Sequence, residues 1–104
     1  MAELTNLSDL QAAANRNRLD FLQTELGLCF TFVDLAKTER RIGDRDAASR
    51  LLDKAETGYA TIARFLLDVE NPDQKSELAQ KLAELRSRLD TEQDCFNASV
   101  LHKE

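Results

Sequence analysis

The sequence predicts an all-α protein, an up-down-up antiparallel three-helix bundle with a long first helix, in a single domain over residues 1–104. Three observations predict it. Only three Gly and one Pro occur in 104 residues, so little interrupts helical runs. Three stretches carry apolar residues at alternating steps of three and four, the spacing of one helix face. Two short connections, Gly43-Asp44 and Asn71-Pro72, have the chemistry of helix ends, and connections this short make neighbouring helices antiparallel. No stretch shows the period-two alternation of a strand.

Helix 1 is expected to start at Leu7-Ser8-Asp9-Leu10-Gln11. There Ser8 can cap, Gln11 can reach back and Leu7 can staple onto the first turn. It should run to Arg41, with Arg40 and Arg41 complementing the carbonyl end of the dipole and Gly43 free to turn left-handed. Asp44 should cap helix 2, with Asp46 in its first turn, and that helix should reach about Val69. Its inner face reads Ala48, Leu52, Ala55, Tyr59, Ile62, Leu66 and Val69. Asn71 then caps helix 3. Pro72 takes the first helical position, where its missing N–H is harmless. Helix 3 should run to about Leu101, its face carrying Leu78, Leu82, Leu85, Leu89 and Phe96, interrupted by Glu92.

Helix 1 carries two apolar stripes. Leu19, Leu22, Leu26, Cys29, Val33 and Ala36 form one. Leu7, Leu10, Ala14, Phe21, Leu28, Phe32 and Leu35 form the other, ~100° away round the helix. The helix is also long. Its ~33 residues span ~50 Å against ~36 Å for helix 2, which puts Val69 level with Arg18 and leaves residues 7–17 beyond the bundle. Phe96, Val100 and Leu101 outrun helix 2 at the other end. Such apolar ends need a cover. A break near Asn15-Arg16-Asn17-Arg18 would give a short fourth helix that folds back; a second molecule would give a homodimer. The homodimer is the preferred expectation, with Leu7, Leu10, Ala14, Phe21, Leu28 and Phe32 as its interaction surface.

Fourteen Lys and Arg against 19 Asp and Glu leave a charge of −5, which disfavours a nucleic acid or an anionic membrane as partner. No apolar run approaches the ~20 residues of a membrane span. MAELTNLSDL lacks the basic start and apolar stretch of a signal peptide, so a cytoplasmic protein with reduced Cys29 and Cys95 is expected. Level with Gly58, Cys29 would lie ~18 Å along the axis from Cys95, too far for a disulfide.

The segment FVDLAKTERRIGDRDAASRLLDKA resembles one tetratricopeptide repeat. Phe32, Leu35, Ala36, Gly43, Ala48, Leu52 and Ala55 fall at its packing positions. Glu39 replaces an aromatic of that pattern, and Ala60 its terminal Pro. With a third helix added, residues 29–90 look more like a microtubule-interacting-and-transport (MIT) domain. Both resemblances imply docking of a partner's peptide or helix in a groove.

Catalytic chemistry finds little support. The lone histidine, His102, excludes a di-iron bundle with two Glu-x-x-His motifs and leaves no partner for a His-dependent nucleophile. Carboxylates such as Glu84 fall among basic residues at helical spacing, as on solvated helix faces. No phosphate-cradling loop occurs. A non-enzymatic protein-protein interaction module without a cofactor is therefore expected. Arg40, Arg41, Arg45 and Arg50 around the first turn could clamp an anionic partner, or simply complement the dipole and pair with Glu39, Asp44, Asp46 and Asp53. The alternative function is a sensory bundle holding a small apolar molecule near Cys29, Phe30 and Gly58.

Overall fold

A computed structural model describes the backbone of residues 2–102 and the side chains of residues 9–98. Three helices, α1 (Ala2–Ile42), α2 (Arg45–Leu66) and α3 (Pro72–His102), form the expected up-down-up bundle, and no strand occurs among the described residues.

The two turns are built by their own residues. Gly43 adopts φ +91°, where a Cβ would be strained. Its N–H donates to the Arg40 carbonyl at 3.1 Å, and the Asp44 N–H donates to the Glu39 carbonyl at 2.9 Å. This pair of bonds is a Schellman closure. One step on, the Ala47 N–H donates to Asp44 Oδ1 at 3.0 Å, capping α2. At the second turn the Gln74 N–H donates to Asn71 Oδ1 at 3.0 Å, with Pro72 opening α3.

The core is the set of stripes read from the sequence. Leu22, Leu26, Cys29, Val33 and Ala36 of α1 meet Leu52, Ala55 and Ile62 of α2 and Leu78, Leu82, Leu85 and Leu89 of α3. Leu19, Tyr59, Leu66 and Phe96 border it, partly buried. The expected level of Arg18 is also found: its Nη1 donates to the Asp68 carbonyl at 3.3 Å, next to Val69. The molecule measures 71 × 21 × 16 Å, because α1 overruns the bundle at one end and α3 at the other.

Three expectations need correction. Ser8 does not open α1; it lies inside a helix that begins at Ala2. The chain does not break at residues 15–18, so there is no short fourth helix. Two Asn cost only ~0.7 kcal/mol each there, the two Arg favour helix, and no Gly or Pro forces a stop. The α2–α3 turn also fastens this segment, since Asn15 Nδ2 approaches Glu70 Oε1 at 3.5 Å beside the Arg18 bond. Finally, α2 stops at Leu66, and Val69 is buried through a tighter turn in which Asp68 and Val69 donate to the carbonyls of Phe65 and Leu66. The side chains of Leu7, Val100 and Leu101 lie outside the described residues.

Candidate functional site

The outer face of α1 carries exposed large apolar side chains along its length. Leu10 is 66% exposed, Phe21 48%, Leu28 44%, Leu35 46% and Ile42 71%. From Ala14 onward the spacing is seven: Ala14, Phe21, Leu28, Leu35, Ile42. Three residues after each of the first four come Asn17, Thr24, Thr31 and Thr38, all exposed. A seven-residue step drifts only ~20° round an α-helix, so the two rows run side by side as a seam. Thr31 Oγ1 donates to the Gly27 carbonyl at 3.0 Å and Thr38 Oγ1 to the Asp34 carbonyl at 3.2 Å. These hydroxyls are satisfied within their own helix and need no new partner if the seam is covered.

Leu10, Ala14, Phe21 and Leu28 of the expected surface share this face. Phe21 is steadied edge-on by Phe65 of α2, with ring centroids 6.4 Å apart. Phe32 is turned away. It is half-buried against the core, with Lys54 Nζ 5.9 Å from its ring centre. The three-four spacing ends at Leu35 and leaves out Ile42, and it assigns Thr24, Thr31 and Thr38 to the polar remainder of the helix rather than to this face. The strict seven-residue period from Ala14 to Ile42 was the signal that would have found them.

The arginines divide. Arg40 Nε donates to Glu92 Oε2 at 2.5 Å, and that hydrogen bond, foremost, raises the Arg40 pKa above its ordinary value. One arm of the expected clamp is thus engaged within the chain, by a residue far along α3 rather than by Glu39, Asp44, Asp46 or Asp53. Arg41 and Arg50 are exposed and Arg45 is half-buried.

Comparison with protein-family models, curated proteins and solved structures finds no match for this chain. No relative assigns these residues a role, and their chemistry carries the reading.

Of the residues named for a small ligand, Cys29 and Gly58 come together and Phe30 does not join them. Cys29 lies against Gly58, where an added Cβ would run into Sγ. Burial, and secondarily Glu25, pushes this thiol up to about 11. Phe30 sits on the α3 side instead, with the Arg88 guanidinium 5.1 Å from its ring centre. The cleft beside Cys29 and Gly58, about 410 Å³, is also lined by Phe32, Lys54 and Thr61 and does not include Phe30. Among the described residues no group of three His, Cys, Asp or Glu is placed to hold a metal ion, and no helix is long and apolar enough to cross a membrane.

Proposed function

We propose that this protein is a non-enzymatic interaction module that associates with itself through the outer face of α1. One observation supports the reading above the rest. A row of large apolar side chains, about half exposed or more, lies on a helix whose other apolar stripe already completes a core. Exposed large apolar side chains repeated along one helix face mark a docking surface. A docking role is also what the tetratricopeptide and MIT resemblance implies. The same reading places the protein in the cytoplasm, where free thiols such as Cys29 and Cys95 persist.

Sedimentation equilibrium across the micromolar range tests it. The wild-type chain is expected to approach dimer mass. Replacing Leu28 and Leu35 together by Asp should return it to monomer with unchanged helicity, because neither side chain belongs to the core. A wild-type chain that stays monomeric at every concentration would sink the proposal.

A further inference from the structure

We infer that two copies pair α1 against α1 in the antiparallel sense, in one register: Phe21 against the partner's Thr38, Leu28 against the partner's Thr31, and Leu35 against the partner's Thr24. This rests on the self-association proposed above and adds its geometry.

Packing points first to the antiparallel sense. Large residues occupy one row of the seam and small ones the other. Antiparallel pairing sets a large residue against a small one in each of these layers, so the faces interdigitate. Parallel pairing would stack Phe21 on the partner's Phe21 and Thr24 on the partner's Thr24.

Charge then selects the register. Asp20, Gly27, Asp34 and Arg41 precede the large residues and flank the seam, all exposed. In the proposed register Asp20 meets the partner's Arg41, and two-fold symmetry repeats the pair at the other end. Sliding one heptad in one direction sets Asp34 against the partner's Asp34; sliding in the other sets Asp20 against the partner's Asp34. A parallel pair would oppose Asp20 to the partner's Glu25 and Asp34 to the partner's Glu39. Each alternative therefore carries like-charge contacts that the proposed register avoids.

The test is a charge-reversal cycle read by sedimentation equilibrium at low salt, with helicity and melting temperature as controls for folding. Asp20→Arg and Arg41→Asp should each weaken dimerisation about tenfold, since each turns two attractive contacts repulsive. The two together restore attraction and should return the dimer to within about threefold of wild type. Fluorophores at the N-termini report the sense independently, being ~80 Å apart in the antiparallel dimer and side by side in a parallel one. A dimer with strong energy transfer between these labels, or one in which the double reversal fails to recover, overturns the register and leaves self-association standing. A wild-type monomer overturns both.

Discussion

Arg40 and Glu92, 52 residues apart, join the last turn of α1 to α3 through a 2.5 Å contact in which Glu92 is only 5% exposed. Glu92 occupies a core position on α3, between Leu89 and Phe96. Its carboxylate is tolerable there because a guanidinium reaches it from a helix end whose carbonyls also favour positive charge.

Removing one partner should therefore cost more than removing both. Arg40→Ala leaves a buried carboxylate without its cation and is predicted to destabilise the fold by about 2–4 kcal/mol. Arg40→Met with Glu92→Leu is predicted to be near neutral or stabilising, since apolar side chains then fill the space. Urea unfolding of the two variants decides this; equal losses would show that the pair contributes attraction rather than relief of a buried charge.

A second prediction concerns the contact of Gly58 in α2 with Cys29 in α1. Gly58 lacks a Cβ where one would collide with Cys29 Sγ. Gly58→Ala is predicted to cost about 1–3 kcal/mol through overpacking, despite alanine's better helix propensity. In a Cys29→Ala background the same change should be close to neutral. Thermal melts of the four chains measure that coupling. The native Cys29 thiol, held neutral by burial with a pKa of about 11, should react with a thiol reagent at pH 8 far more slowly than the half-buried Cys95.

A third prediction follows from acid. The Arg86 guanidinium grips Glu56 through Nη1 and Nη2 at 2.8 and 2.7 Å, binds Asp90 at 2.8 Å and lies over the Tyr59 ring. Hydrogen bonding from Arg86 holds the Glu56 carboxyl below its ordinary 4.5. Because its pKa is lower folded than unfolded, the link contributes stability above pH 4.5 that is lost as pH falls through the folded value. Glu56→Gln should flatten that part of the stability–pH curve. A wild-type curve already flat below pH 4.5 would contradict the assignment.

Much of this architecture is legible in the sequence. Gly43, Asp44, Asn71 and Pro72 mark the turns because capping is local chemistry, settled within four residues. The buried stripes follow from helical periodicity, and the level of Arg18 from the constant rise per residue. Other features depend on where α2 and α3 sit around the circumference of α1. Phe32 and Leu28 belong to the same stripe by spacing, yet Phe32 is covered by α2 and Leu28 is left outside. Glu92 reads as an interruption until Arg40 is seen beside it.

Local patterns along the chain are enough for the three helices, their direction, their turns and the side chains that fill the core, all consequences of short-range backbone geometry. The packing of the helices against one another settles that α1 stays whole through residues 15–18, that Glu92 is held by Arg40, and which part of the broad apolar arc of α1 faces outward. Those outcomes turn on the rotation of one rod about another, and no repeat within a single segment specifies that angle.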